Sequence, residues 1–102
     1  MRNPESDIKD AIRGVFVGTP IIVWNHPTGF ASAERVHYGL KGSSDLIGIL
    51  PNGKFLAIEV KTSTGRLSPE QKRFAAMVRR QGGVYIEARS PQAVREALFE
   101  YL

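Results

Sequence analysis

Apolar and polar residues follow two different periods along the chain, which predicts a succession of helices and strands. After Asn3-Pro4, a favourable cap and first helical position, apolar residues recur at helical spacing: Ile8, Ala11, Ile12 and Val15. Gly18-Thr19-Pro20 ends this helix, and residues 21–24 indicate a strand. Residues 25–39 are rich in turn formers and weakly periodic, so we expect a long loop there.

Two short apolar runs in the middle of the chain predict a β-hairpin. Residues 46–50 are apolar, residues 55–60 are apolar except for Glu59, and the segment Pro51-Asn52-Gly53-Lys54 between them is a strong turn sequence. Because side chains alternate between the two faces of a strand, one wholly apolar set should lie on the core: Leu56, Ile58 and Val60.

The loop length of this hairpin decides which charged residues share a face. A two-residue loop at Asn52-Gly53 would pair Leu46 with Glu59 and place Asp45 on the opposite face. A three- or five-residue loop would instead bring Asp45, Glu59 and Lys61 to one face. The Asn-Gly dipeptide favours the two-residue turn. We predict the odd-numbered loop, against that local preference.

A helix signal follows the hairpin. Ser68 is a good N-cap, Pro69 suits the first helical position, and Gln71 completes a capping-box pattern. The apolar face of this helix is formed by Phe74, Ala75, Val78 and, at its border, Met77. Gly82-Gly83 then ends the helix.

The last part of the chain predicts a strand at 84–88 and a helix beginning at Ser90-Pro91. The strand–helix–strand order from 55 to 88 predicts a crossover connection that makes its two strands parallel or neighbours in one mixed sheet. Glu87 should alternate outward from the last strand, and we interpret it as structural. The complete order is helix, strand, loop, hairpin, helix, strand and helix, which indicates one α/β domain over residues 1–102.

Composition narrows the range of functions. The chain has no cysteine, which excludes disulfides and thiolate zinc sites and is typical of a reducing cytoplasm. No apolar run approaches the length of a membrane helix, so we expect no membrane partner. The net charge of +4 mildly favours phosphate-bearing partners. His26 and His37 lack metal-ligand spacing, and we assign neither to catalysis.

The charged residues of the hairpin are the strongest chemical signal. Taken singly, Asp45 is an ordinary turn former, and Glu59 with Lys61 is an ordinary solvated pair. At the ends of two paired strands, however, two carboxylates and a lysine can hold a divalent metal and a phosphate.

This constellation resembles the PD-(D/E)XK nuclease superfamily, and most closely its VRR-NUC branch, the virus-type replication-repair nuclease domain. The resemblance covers nearly the whole chain, is densest from Tyr38 to Ala88, and rests on four segments: Gly42–Leu46, Ile58–Thr62, Gly65–Gln71 and Gly82-Gly83. One departure is Ser44, which stands where the superfamily name has proline. The resemblance implies an α/β fold with a restriction-endonuclease-like PD-(D/E)XK core, a mixed β-sheet flanked by helices.

The resemblance also implies a Mg²⁺-dependent nuclease in which Mn²⁺ substitutes. Asp45 and Glu59 would be the metal ligands with the Val60 carbonyl, and Lys61 would position the attacking water or stabilise the transition state. An acid on the first helix would reach the site, with Glu5 as the best match and Asp7 as the alternative. The amide of Gln71 would lie beside the carboxylates, although its capping role accounts for it equally well.

The resemblance further implies DNA as the substrate. Candidate DNA contacts are Arg35, Ser44, Arg66, Lys72 and Arg73, for which an ordinary solvated surface is the alternative. Stand-alone domains that resemble this chain are dimers acting on four-way DNA junctions. We therefore predict a homodimer that cuts branched DNA, with an interface at Phe99 and Tyr101 or at Phe30 and Tyr38. The rival hypotheses are a nucleic-acid-binding module without chemistry and a docking subunit of a replication or repair complex.

Overall fold

A mixed four-stranded sheet organises the structure, a computed structural model that describes residues 3–26, 29–31, 36–38 and 40–102. Its strands are, in spatial order, Ile22–Asn25, Leu46–Ile49, Phe55–Val60 and Val84–Ala88. The strands are β1 (Ile22–Asn25), β2 (Gly29–Ala31), β3 (Val36–Tyr38), β4 (Leu46–Ile49), β5 (Phe55–Val60) and β6 (Val84–Ala88). The helices are α1 (Pro4–Val15), α2 (Pro69–Arg80) and α3 (Pro91–Ala97), followed by a 3₁₀ turn at Phe99–Tyr101. In the described part of the chain, no helix is long and apolar enough to span a membrane.

The sheet has both parallel and antiparallel pairs. Strand β4 is antiparallel to β1 and to β5, whereas β5 and β6 are parallel and are connected through α2. The expected α/β architecture and the neighbouring strands of the crossover are confirmed.

One element was missed by the sequence pattern. Residues 25–39 were expected to form a loop, but Gly29–Ala31 pairs with Val36–Tyr38 in a separate two-stranded antiparallel ladder. Each strand has only three residues. Strands this short contain too few alternating positions to produce a periodic signal, so turn-forming residues dominate the pattern.

The two faces of the sheet carry separate cores. Leu56, Ile58 and Val60 are fully buried on one face, as predicted, and pack with residues of α1 and α3 that include Ile12 and Val94. The other face packs against α2 through a smaller cluster: Ala57, Phe74, Ala75, Val78 and Tyr85. The predicted apolar face of α2 is therefore confirmed, with Met77 at its border.

The hairpin between β4 and β5 has the odd-numbered loop. Leu46 faces Ile58 and Ile49 faces Phe55, and the Leu50 N–H donates to the Lys54 carbonyl at 3.0 Å, which leaves a three-residue loop of Pro51, Asn52 and Gly53. Gly53 has φ +85°, the left-handed conformation that completes a three-residue hairpin loop. The prediction that Asp45 and Glu59 share a face is therefore confirmed.

Candidate active site

Asp45 and Glu59 face each other at the end of the β4–β5 ladder. Asp45 directly precedes Leu46, whose partner is Ile58, so the next position along the antiparallel register places Asp45 opposite Glu59. The Val60 N–H donates to Asp45 Oδ2 at 3.1 Å, which fixes the half-buried Asp45 side chain against β5. The hairpin thus brings two carboxyl groups together on the face that α2 covers.

Burial and its acidic neighbours determine the protonation of Glu59. The residue is 2% exposed, and its Oε1 atom has no hydrogen-bond partner among the described residues. Burial, followed by the hydrogen bond and the charge of Asp45, raises the pKa of Glu59 to about 9, while Lys61 acts in the opposite direction. Without an added cation, these surroundings therefore favour the protonated form of the Glu59 carboxyl group.

Lys61 follows β5 and turns back toward Glu59. Its Nζ atom lies 4.0 Å from Glu59 Oε2, and its side chain is 15% exposed. The Lys61 N–H donates to the Ala88 carbonyl at 3.0 Å, which ties this residue to the end of β6. A Cβ atom at Gly65 would lie 3.3 Å from Lys61 Cδ, so the loop after β5 passes close to the lysine stem. The predicted grouping of Asp45, Glu59 and Lys61 is present in the structure.

Glu5 lies within electrostatic reach of this group. It stands in the first turn of α1, where Asn3 Oδ1 accepts from the Glu5 N–H at 2.8 Å in the predicted capping arrangement. Its negative charge adds to the rise in the pKa of Glu59. Asp7, the alternative acid of the first helix, is exposed. The charge of Glu5 thus acts on Glu59, and its role as the first-helix acid of the site stays a prediction.

Gln71 occupies the predicted capping box. Its Oε1 atom accepts from the Ser68 N–H at 2.8 Å, and its N–H donates to Ser68 Oγ at 3.1 Å. The segment leading into Asp45 packs against the same helical turn: at Gly42, where φ is +85°, a Cβ atom would overlap the Glu70 carbonyl and lie 3.0 Å from Gln71 N. The capping role is confirmed, whereas the role of Gln71 beside the carboxylates stays a prediction.

The candidate DNA contacts differ in exposure. Arg66, Lys72 and Arg73 are exposed. Arg66 Nη1 donates to the Gly65 carbonyl at 2.9 Å, and Arg73 lies 3.7 Å from Glu70, so both retain solvent-facing donors. Ser44 is completely buried, so its predicted direct contact with DNA is wrong in this structure. Arg35 lies outside the described residues, and so do the side chains of Phe30 and Tyr38.

A second charged pair borders the carboxylates and escaped the sequence reasoning. Glu87 is the register partner of Glu59 in the parallel ladder, and its Oε2 atom lies 2.5 Å from Arg89 Nη2. Arg89 Nη1 also donates to the carbonyl of Thr62, directly after Lys61. The alternation of side chains along β6 indicates that Glu87 points outward. The register of β6 against β5, which makes Glu87 the neighbour of Glu59, cannot be derived from the sequence. The predicted structural role of Glu87 fits this ion pair.

The donor set suits a hard divalent cation. No group of three or more His, Cys, Asp or Glu side chains in the described ranges is arranged to hold a metal ion. Asp45 and Glu59 offer two carboxylates, and the buried Oε1 atom of Glu59 lacks a partner in the part of the chain that the structure describes. Mg²⁺ is commonly held by one or two carboxylates and keeps several waters, so these residues fit it without a larger cage.

The fold and the site together define an α/β domain of the PD-(D/E)XK type, with two carboxylates and a lysine at the open end of the β4–β5 hairpin. The chain belongs to the VRR-NUC family of nuclease domains, whose model matches residues 22–92. Glu5 precedes the matched residues.

Structural comparison agrees in fold. A solved structure described as a VRR_NUC domain has a TM-score of 0.72 and 22% sequence identity, with 99% of this chain and 100% of that chain covered. Among curated proteins, the sequence has no match.

Proposed function

We propose that this protein is a metal-dependent DNA endonuclease that hydrolyses phosphodiester bonds at the Asp45–Glu59–Lys61 site. The observation that carries the proposal is Glu59, which is buried beside Asp45, has an Oε1 atom unpartnered among the described residues, and has Lys61 Nζ 4.0 Å from its other oxygen. Burial of such an acidic pair is unfavourable unless one carboxyl group is protonated or a cation compensates the negative charge, so the pair favours cation binding when both groups are ionised. Membership of a nuclease family supports the same conclusion.

Each residue of the site has a proposed role. Asp45 and Glu59 would hold Mg²⁺, or Mn²⁺ in its place, together with the Val60 carbonyl, and Glu5 would complete a second site or a water-mediated contact. The bound ion would supply an activated water and would relieve negative charge at the phosphate. Lys61 would orient the attacking water or stabilise the charged transition state from its half-buried position. Gln71 would present its amide beside the carboxylates from the first turn of α2.

The proposed substrate is DNA, bound through its phosphates. Arg66, Lys72 and Arg73 are exposed on the loop and helix that follow the catalytic lysine, and Arg35 is a further candidate. Such contacts fix the position of the duplex without reading its sequence. Selectivity for branched DNA would then come from the arrangement of two sites in a homodimer, because paired cuts across a junction call for a two-fold axis.

The direct experiment is incubation of labelled four-way, duplex and single-stranded DNA with the protein in Mg²⁺, in Mn²⁺ or in EDTA. We expect cleavage with either metal, no cleavage in EDTA, and faster cleavage of the four-way substrate. Cleavage that persists in EDTA would contradict the metal-dependent mechanism. Tight DNA binding without cleavage in either metal would favour a nucleic-acid-binding module or a docking subunit instead.

A further inference from the structure

Three buried polar atoms beside the candidate metal site have no hydrogen-bond partner among the described residues. They are Ser44 Oγ, Glu59 Oε1 and Tyr85 Oη, and their residues are 0%, 2% and 6% exposed. Buried polar side-chain atoms in native structures are nearly always hydrogen-bonded, so each exception requires a physical explanation. A carboxylate and two hydroxyl groups are complementary, because hydroxyl groups donate and an ionised carboxylate only accepts.

The three residues belong to one neighbourhood. Tyr85 is the register partner of Ala57, two residues before Glu59, so it stands on the same face of the sheet as Glu59 and diagonally across from it on the adjacent strand. Ser44 directly precedes Asp45 in the chain. Burial raises the pKa of Tyr85 to about 12, the Glu59 charge adds to this rise, and Ser44 opposes it, so both groups lie near the phenol. The Ser44 and Tyr85 hydroxyl groups are nevertheless not in hydrogen-bond geometry with each other.

Packing against α2 holds the Tyr85 ring in place. Phe74 meets the ring edge to face, with 6.3 Å between the centroids and an interplanar angle of 63°. The Arg79 guanidinium carbon lies 5.2 Å from the ring centroid on the same helix. These contacts involve only the aromatic ring, so they fix its position and leave the hydroxyl group available.

We propose that Ser44 and Tyr85 are positioning residues that donate hydroxyl hydrogen bonds to the Glu59 carboxylate when it binds a metal ion. The inference rests on the proposed function of the same site. Carboxylates that bind metals are usually held by hydrogen bonds to groups behind them, and these groups set their orientation. Proline, which stands at the position of Ser44 in the superfamily motif, has no hydroxyl group and could not donate in this way.

The test is the affinity of the DNA-free protein for Mn²⁺, measured by titration calorimetry at a fixed pH. Tyr85→Phe removes one hydroxyl and keeps the ring contacts, and Ser44→Ala removes the other. We expect each variant to bind Mn²⁺ about tenfold or more weakly, as is typical when such supporting hydrogen bonds are removed. The double variant should lose less than the product of the two effects, because both hydroxyl groups act on one carboxylate.

Two matched variants separate positioning from general damage. Ser43→Ala removes the neighbouring buried hydroxyl, and Tyr101→Phe removes the hydroxyl of a tyrosine packed on the other core cluster. Both should bind Mn²⁺ like the parent. Thermal unfolding should show that every variant is folded at the assay temperature. If Tyr85→Phe is unfolded, the Mn²⁺ affinity of Ser44→Ala tests the positioning role.

The outcomes distinguish this inference from the proposed function. Unchanged Mn²⁺ affinity in a folded Tyr85→Phe or Ser44→Ala variant would overturn the positioning role while the parent still binds Mn²⁺. Equal losses in the Ser43→Ala and Tyr101→Phe controls would overturn it as well, because a non-specific effect would explain them. A parent protein that binds no Mn²⁺ would overturn both the inference and the proposed function.

Discussion

At the scale of single residues, Glu59 shows how surroundings determine the chemistry of a carboxyl group. Its position at the end of an apolar strand could be read from the sequence, and so could its neighbours Asp45 and Lys61. Its burial and its raised pKa could not, because they depend on how the elements of the folded chain pack around it. Ser44 shows the same limit: it is a candidate DNA contact by sequence, but packing buries it completely.

We expect the stability of the metal-free protein to fall as the pH rises from about 4.5 toward about 9, because of Glu59. Burial, with the hydrogen bond and charge of Asp45, raises the pKa of Glu59 in the folded state above its unfolded value. The folded state therefore binds the proton more tightly, and its advantage is complete at low pH and is lost as the pH rises through the folded-state pKa.

Urea unfolding of the parent and of Glu59→Gln at pH 5, 7 and 9, in the presence of EDTA, measures this effect. The glutamine cannot ionise, so the variant should lose the part of the pH dependence that Glu59 contributes. Glu100→Gln makes the same change on an exposed residue, and this variant should retain the pH dependence of the parent that comes from Glu59. A Glu59→Gln variant with the pH dependence of the parent would show that Glu59 does not titrate in this way.

At the scale of secondary-structure elements, the sequence predicted the long elements better than the short ones. Helix α2 and its cap followed from Ser68, Pro69 and Gln71, and the β4–β5 hairpin followed from its two apolar runs. The predicted loop length was correct only because the odd-numbered loop places the charged residues on one face. The local preference of Asn52-Gly53 alone would have predicted a two-residue loop. The ladder of β2 and β3 was missed, since three-residue strands leave no periodic pattern.

Gly42 should be essential for docking the segment before β4 against α2. It has φ +85°, and a Cβ atom there would overlap the Glu70 carbonyl. We expect Gly42→Ala to lower the free energy of unfolding by about 1–3 kcal/mol, the range for a strained backbone position.

Thermal and urea unfolding measure this change, and Gly14→Ala is the matched control. Gly14 lies in α1, where a Cβ atom would meet no other atom and φ is not positive. Alanine there should be neutral or stabilising by up to about 1 kcal/mol. Equal unfolding midpoints for Gly42→Ala and the parent would contradict the proposed close packing.

At the scale of the whole molecule, the sequence predicted the α/β class and the order of the principal elements. This prediction was possible because helices and strands of ordinary length carry clear periodic patterns. In addition, a short strand–helix–strand crossover allows few arrangements of the strands in a mixed sheet. The residue-by-residue register between the strands could not be predicted from the sequence. The neighbour relationship of Glu59 and Glu87 depends on the register of parallel strands that are far apart in the chain.

Exposed basic residues near the site should contribute phosphate contacts to DNA binding. Replacing Arg66, Lys72 or Arg73 by glutamine should weaken binding to every DNA sequence and reduce the slope of log affinity against log salt by about 1 for each lost contact. Fluorescence anisotropy at several salt concentrations measures that slope. Arg95→Gln on α3 provides an exposed control of equal charge change, and it should retain the parent slope. An unchanged slope in all three variants would place these residues on an ordinary solvated surface.

We expect the protein to be a homodimer at micromolar concentration that introduces paired nicks in a four-way DNA junction. Sedimentation velocity determines the assembly, and strand-specific labels on the junction show whether both nicks occur within one binding event. A monomer that makes no paired nicks would contradict junction resolution and would leave a nuclease that cuts one strand at a time.

The most direct measurement of the central claim is the single-turnover rate of DNA cleavage in Mn²⁺ by the parent, Glu59→Ala and Lys61→Ala. We expect both variants to cleave at least about a hundredfold more slowly while still binding DNA, because groups that stabilise developing charge commonly contribute such factors. Lys54→Ala, an exposed lysine of the hairpin loop, should cleave like the parent. Parent-like cleavage by either Glu59→Ala or Lys61→Ala would contradict the assignment of this site.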